Sequence, residues 1–168
     1  MEPDSTVALR EIHLDLPNRP GALARVARLL AKEQINVAAI SVDSTAGKGR
    51  VRLVVSDPDR AVTRLAQEGY TMEEREMLVV SLEDRSGSFL RVLDALAREK
   101  VNIQSVALLV AREDGRALVG LSTSDPVRSR RVLQKVGLIS PSAERRVTNS
   151  DLVAAAPSIP NESVGMLL

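Results

Sequence analysis

Two asparagines and one glycine have the residue types and spacing best suited to hold a small ligand. Asn18 and Gly21 belong to the segment Asn18-Arg19-Pro20-Gly21, and Asn36 follows fifteen residues after the glycine. Amide N–H groups at a helix N-terminus attract a carboxylate. Glycine lets a ligand approach the backbone closely, and an asparagine amide both donates and accepts hydrogen bonds. Together these groups meet the needs of a zwitterion.

Each of these residues also has a purely structural interpretation. Gly21 follows a proline and is equally suited to a tight turn before a helix. Asn36 stands where a helical pattern gives way to a strand, and its side chain could satisfy local backbone groups there. The residue types alone therefore leave binding and local structure open.

The same pattern occurs twice in the chain. Residues 10–42 align without a gap with residues 76–108, and nine of these 33 positions are identical. The second set of candidate binding residues is Asp84, Gly87 and Asn102, at an offset of 66. The register then slips by two residues beside a predicted hairpin, after Gly49-Arg50 is matched with Gly115-Arg116. A duplicated domain explains the repeat.

Each copy predicts the element order βαββαβ. Alternating apolar residues over 12–16 indicate a half-buried strand, and an apolar helical face over 22–33 indicates a helix that starts after Pro20-Gly21. The order predicts an α+β protein of two ferredoxin-like domains, each an antiparallel sheet with its helices on one face. We expect the domains at 7–75 and 76–147, the second ending in a weak strand near 144–147. A flexible tail is expected at 148–168.

The segment Asn18-Arg19-Pro20-Gly21-Ala22-Leu23, followed by Ile35-Asn36-Val37, resembles the signature of ACT domains, which are regulatory modules of amino-acid metabolism. The first copy is similar in particular to the serine-sensing ACT domain of phosphoglycerate dehydrogenase. The second copy, with Asp84-Arg85-Ser86-Gly87 and Asn102-Ile103, is a looser member of the same class.

The resemblance implies a small amino acid bound at an interface between two ACT units. It implies ligand-binding roles for Asn18, Gly21 and Asn36, and for Asp84, Gly87 and Asn102. Leu16 departs from the serine-sensing pattern, which has a histidine there, so a smaller or more apolar amino acid than serine stays open. The resemblance also implies a homo-oligomer and a regulated enzyme or regulator as partner.

Other classes of function find little support in the residues. The chain has no Cys and a single histidine, His13, which lies out of phase with the predicted core face and is expected to be an exposed strand residue. We therefore expect no catalysis, no metal site and no cofactor. A net charge of +1 and the near absence of aromatics argue against nucleic acid. No apolar run is long enough to span a membrane, so a cytoplasmic location is expected.

The alternatives that stay open are all regulatory. The chain could be a free-standing sensor or the regulatory small subunit of a biosynthetic enzyme such as acetolactate synthase. It could also be similar to glycine-cleavage repressors, or be an interaction module without a ligand.

Overall fold

The computed structural model describes residues 8–45, 47–111 and 116–139. The elements follow the order strand, helix, strand, strand, helix, and this order occurs twice along the chain. The first set is β1 (Ala8–Pro17), α1 (Ala22–Lys32), β2 (Val37–Thr45), β3 (Lys48–Val55) and α2 (Pro58–Gln67). The second set is β4 (Met72–Glu83), α3 (Ser88–Arg98), β5 (Ile103–Ala111), β6 (Arg116–Thr123) and α4 (Pro126–Lys135).

The six strands of the described residues form one sheet in the order β2-β3-β1-β4-β6-β5, and every neighbouring pair is antiparallel. This differs from the prediction of a separate four-stranded sheet in each copy. The two halves join where β1 pairs with β4 in the centre of the sheet, from Ala8 opposite Leu78 to Leu14 opposite Met72. The α+β class and the ACT-like βαββαβ pattern of elements are confirmed.

The helices cover one face of the sheet, as the period of the strands predicts. Ile12, Leu14 and Leu16 of β1 pack under α1 and α2, in a cluster that includes Leu30 and Leu65. The equivalent cluster of the second half is built on β4 and lies under α3 and α4; it includes Leu78, Val80, Leu82, Leu96 and Leu133. Burial of these aliphatic side chains supplies most of the driving force for folding.

The sheet curls, so its other face is also buried. Ala38 and Ala39 of edge strand β2 and Ala107 of edge strand β5 pack against one core cluster on this concave face. The buried members of that cluster are Leu9, Val54, Met77, Leu109 and Leu118. The two outer strands β2 and β5 lie close to each other across this face, although they do not exchange hydrogen bonds.

A single strand, β4, occupies the junction where the sequence predicts two. The strand pattern predicts the last strand of the first copy near 70–74 and the first strand of the second copy at 77–82, whereas the structure has one strand from Met72 to Glu83. No glycine or proline lies between them to break the strand. One long strand therefore serves both halves.

The registers of the two halves match. Ile12 faces Leu53 across β1 and β3, and Leu78 faces Leu121 across β4 and β6. The offset is therefore 66 on the first strand of each half and 68 on the third. The two-residue insertion thus lies before β6 begins, and Arg50 is equivalent to Leu118 rather than to Arg116.

The boundaries 7–75 and 76–147 stay predictions. The expected strand near 144–147 and the expected tail at 148–168 lie outside the described residues.

Candidate functional site

The loop between β1 and α1 holds the first two predicted binding residues together. Gly21 is the N-cap of α1 and adopts a left-handed conformation with φ 84°, which explains the choice of glycine. A Cβ added there would meet nothing within 4 Å, so the surface above Gly21 is open. The Asn18 amide Nδ2 donates to the Ser44 hydroxyl at 2.6 Å, and its backbone N–H donates to the Gly47 carbonyl.

The start of α1 presents unpaired amides beside this glycine. The Ala22 amide donates to Arg19, and the first helical hydrogen bond runs from Arg25 to Gly21. By helix geometry, the amides of Leu23 and Ala24 have no acceptor within the helix. Two donors and the positive end of the helix dipole therefore point away from the helix at this loop.

An ion pair lies near the loop, because only Leu16 and Pro17 separate Asp15 from Asn18. Arg50 of β3 contacts Asp15 of β1 at 3.0 Å, and the two residues are direct cross-strand neighbours. The hydrogen bond from Arg50 lowers the pKa of the Asp15 carboxyl, and the same bond raises the pKa of Arg50. Asp15 is therefore ionised at neutral pH, and its charge is matched by its neighbour.

Asn36 is held by its backbone and leaves its side chain exposed. Its N–H donates to the Ser56 hydroxyl at 3.0 Å, while the Ser56 N–H donates to the Asn36 carbonyl at 2.9 Å. Asn102 repeats this arrangement with Ser124, at 3.1 and 2.9 Å. Because a serine satisfies the local backbone in both halves, neither asparagine amide is needed for that purpose.

Within one half, the loop and the asparagine lie at opposite ends of β2. Asn18 contacts Ser44 near the end of the strand, whereas Asn36 directly precedes its first residue, Val37. At about 3.3 Å per strand residue, Val37 and Ser44 are roughly 23 Å apart. One half does not bring Asn18 and Asn36 together around a single small ligand.

The second half has the same loop with a different charge. Gly87 is the N-cap of α3 with φ 86°, and the surface above it is also open. Asp84 stands where the first half has Asn18 and is exposed. Asn102 lies at the start of β5, while the loop lies beside the far end of that strand, since Glu83 pairs with Arg116.

A buried polar network on the concave face was not predicted. The Glu11 carboxylate oxygen Oε2 lies 2.7 Å from His13 Nε2 and accepts hydrogen bonds from the hydroxyls of Ser105 and Ser122 at 3.0 and 3.1 Å. Glu11 is 3% exposed and His13 is 8% exposed. The expectation of an exposed His13 is therefore wrong, because the curl of the sheet buries the face that a flat sheet would leave in water.

The equivalent positions of the second half are apolar. Glu11 corresponds to Met77 and His13 to Val79, while Ser105 and Ser122 correspond to Ala39 and Val54 of the first half. Met77 and Val54 are buried, and Ala39 and Val79 pack against the same cluster. Comparing these paired positions would have been the one sequence signal for the network.

No helix in the described part of the chain is long and apolar enough to cross a membrane. The same residues contain no group of three or more His, Cys, Asp or Glu side chains arranged to hold a metal ion.

Comparison with known proteins identifies the class of the first half. Residues 11–68 match the sequence model of the ACT domain, a range that contains the Asn18–Gly21 loop and Asn36. The match ends at the close of α2, so it covers the first set of elements and not the second. No curated protein matches the chain.

Solved structures extend the likeness to most of the chain. A protein from Bacteroides thetaiotaomicron is 26% identical with a TM-score of 0.73, covering 80% of this chain and 92% of its own. The regulatory subunit of aspartate kinase from Thermus thermophilus is 18% identical with a TM-score of 0.55, covering 79% and 95%. The aspartokinase alpha and beta subunits are 19% identical with a TM-score of 0.53, covering 77% and 93%. The two kinase likenesses show the fold alone.

Proposed function

We propose that this protein is a non-catalytic regulatory protein that binds a small amino acid. The observation that carries the proposal is the ACT match over residues 11–68, which includes the open loop at Gly21 and the exposed Asn36. A regulatory subunit of aspartate kinase with the same fold favours a role in controlling another protein. The second half is proposed as a second ACT domain.

The chemistry of the loop fits the carboxylate of the ligand. The amides of Leu23 and Ala24 supply two donors, and the helix dipole adds a favourable field. Asn18 uses one Nδ2 hydrogen on Ser44 and keeps the other. The ligand ammonium then requires an acceptor. We propose that the exposed amide oxygen of Asn36 from another ACT unit provides it.

We infer that an ACT unit of a second copy of the chain completes the site; the second half of the same chain, with Asn102, is the intramolecular alternative. Asn36 lies too far from the loop of its own half, so the loop needs an asparagine from another ACT unit. The edge strands carry exposed apolar side chains that such a contact would cover: Val37, Ile40, Val42, Val106 and Leu108. An open strand edge with apolar side chains favours pairing with another edge.

A thermal-shift screen against the twenty amino acids tests the function. At a ligand concentration of about 100 times Kd, binding stabilises the folded state by about 2.7 kcal/mol. For a chain of this size, the melting temperature then rises on the order of 5–10 °C. We expect a small amino acid to produce this rise and large aromatic amino acids to produce none. A flat response to all twenty would favour an interaction module without a ligand.

A regulatory small subunit of a biosynthetic enzyme is the second candidate. The tandem order of elements spans nearly the full length of the aspartate kinase regulatory subunit from Thermus thermophilus, 95% of that chain. Co-purification with a catalytic subunit whose feedback inhibition depends on this chain would distinguish such a subunit from a free-standing sensor.

A further inference from the structure

The groove between α3 and α4 differs from its counterpart in the first half. It has a volume of about 420 Å³ and is lined by Glu99 of the segment after α3 and by one side of α4, including Arg128, Arg131, Val132 and Lys135. Both α2 and α4 begin with an aspartate N-cap followed by proline, so their positions can be compared one by one.

One substitution explains why the groove is open. In the first half, Arg64 of α2 reaches Glu33 at 3.4 Å and Glu68 at 2.7 Å, so its guanidinium bridges the space between α1 and α2. Val132 occupies the position of Arg64 in α4. A short apolar side chain replaces the bridging cation and leaves the floor of the groove uncovered.

The rim of the groove has also become basic. Thr63 and Gln67 of α2 correspond to Arg131 and Lys135 of α4, and both cations are exposed. Neither makes an ion pair with any residue in the described ranges. The helix α4 contains four cations and no acidic residue, as its sequence PVRSRRVLQK shows.

The acidic groups of the groove are already engaged. Glu99 accepts from Arg128 at 2.9 Å, and the Asp125 side chain caps α4 by accepting from the Arg128 amide. Arg131 and Lys135 are therefore the unneutralised charges of this surface. Val127, 64% exposed, adds an apolar contact at the start of the same helix, where α2 has Asp59.

We propose that this groove docks an acidic helical segment of a partner protein, with its carboxylates on Arg131 and Lys135. The two cations are four residues apart on one helix, about 5–6 Å between their Cβ atoms, which matches carboxylates one helical turn apart on the partner. Val127 and Val132 contact apolar side chains beside those carboxylates. A nucleic acid fits less well, because Glu99 and Asp125 would lie against a continuous phosphate backbone.

This docking surface rests on the proposed regulatory role but not on the proposed ligand site. It assigns to α4 the contact through which a partner is held, away from the β1–α1 loop. The docking surface on α4 and the ligand site at the β1–α1 loop can therefore be tested separately, and failure of one does not decide the other.

Fluorescence anisotropy with a labelled peptide tests the surface. The probe is a short alanine-rich helical peptide with glutamates one turn apart and leucines beside them, measured on the full chain at low salt. The variant R131T/K135Q installs the residues of α2 and removes both ion pairs to the peptide. Because each exposed ion pair contributes little alone, binding should weaken only about tenfold. The same peptide with glutamine in place of glutamate should bind as weakly as the variant does.

A reciprocal variant is the matched control. T63R/Q67K adds the two cations to α2 but keeps Arg64 across the groove, so it should bind no second peptide. T63R/R64V/Q67K also opens the groove and should bind a second equivalent. The amino acid found by the thermal-shift screen should stabilise R131T/K135Q as much as the parent chain.

Three results would overturn the docking surface. The first is no binding of the glutamate peptide, and the second is equal binding of the glutamine peptide. The third is displacement of the peptide by inorganic phosphate at constant ionic strength, which would make the groove a simple anion site. Loss of the amino-acid response alone would count against the proposed ligand site and leave the groove unaffected.

Discussion

At the scale of single residues, Asn36 and Asn102 have identical backbone surroundings. Each donates to a serine hydroxyl that follows the third strand of its half, and each side chain is exposed. The loops that would face them differ, because one has Asn18 and the other has Asp84. An aspartate beside a ligand carboxylate repels it, whereas an asparagine donates a hydrogen bond.

We therefore expect Asn36→Ala to weaken binding of the amino acid found by the screen more than Asn102→Ala does. Loss of a hydrogen bond to a charged ligand group costs about 1.5–3 kcal/mol, or roughly tenfold to hundredfold in Kd. Calorimetric titration of the two variants measures both losses. Equal losses would indicate a composite site that uses both halves, and a loss at Asn102 alone would remove Asn36 from the site.

Asp15 provides a residue-scale prediction on pH. Its pKa in the folded state is lowered by the hydrogen bond from Arg50. The folded state therefore gains stability from this pair above the ordinary pKa of aspartate, and loses it as the pH falls through the lowered value. NMR titration of the Asp15 carboxyl carbon should give a pKa below the ordinary range, and Arg50→Gln should raise it. An unchanged Asp15 pKa in Arg50→Gln would show that the ion pair does not form in solution.

At the scale of elements, periodicity predicted the strands and helices because each buries one face under its neighbours. Ile12, Leu14 and Leu16 alternate with polar residues, and all three lie in the core. The prediction failed for His13, which alternates with them but faces a second core. A flat sheet and a curled sheet have the same period, so the strand pattern cannot show whether the far face is covered.

The candidate site was predicted in the same partial way. The loop at Gly21 forms the expected turn at a helix N-terminus, and the structure adds that the glycine is left-handed. The distance between the loop and Asn36 depends on the direction and length of β2. A short sequence motif specifies neither of these. The groove at α4 went unpredicted because it arises from Val132 in place of Arg64, a difference visible only when the two helices are compared.

The network around Glu11 gives a prediction about packing between elements. Glu11→Met alone removes the acceptor that the buried His13 and Ser122 and the half-buried Ser105 share, which costs about 1–3 kcal/mol per buried unsatisfied group. We expect a marked loss in the free energy of unfolding, measured with urea. The loss should exceed that of Glu83→Met, since Glu83 is exposed.

A combined variant separates the effect of unsatisfied hydrogen-bonding groups from the effect of changed side-chain volume. Glu11→Met, His13→Val, Ser105→Ala and Ser122→Val together install the residues found at the equivalent positions. Replacing all partners of a buried polar network by apolar groups is often neutral. The combined variant should therefore be more stable than Glu11→Met alone. A combined variant less stable than Glu11→Met would show that the side chains of one half do not pack well at the equivalent positions of the other half.

At the scale of the whole molecule, we expect the outer edges of the curled sheet to determine assembly. The exposed side chains Ile40 and Val42 of β2 are equivalent to Val106 and Leu108 of β5, so the apolar surface occurs at the same positions in both halves. A patch with such internal symmetry favours an isologous contact with a second copy.

Light scattering should therefore give a homodimer or a larger symmetric assembly. Ile40→Asp and Leu108→Asp should shift the mass toward the monomer, because each would bury an unpaired charge in the contact. Leu90→Asp is the matched control, since Leu90 is 57% exposed and lies on the helix α3 rather than on an edge strand. A parent chain that stays monomeric at all concentrations would contradict the assembly and the shared ligand site with it.

The continuous strand β4 has a consequence for how the chain folds. Its first residues pair with β1, and its later residues pair with β6, so one strand supplies the middle of both halves. A fragment ending at residue 75 would retain only part of this strand, and a fragment starting at residue 76 would lose β1 as its neighbour. The two halves should therefore unfold in a single cooperative transition. The transitions followed by circular dichroism and by hydrogen exchange should coincide. Amides in the centre of β4 should exchange only through global unfolding, and thus more slowly than those of β2 or β5.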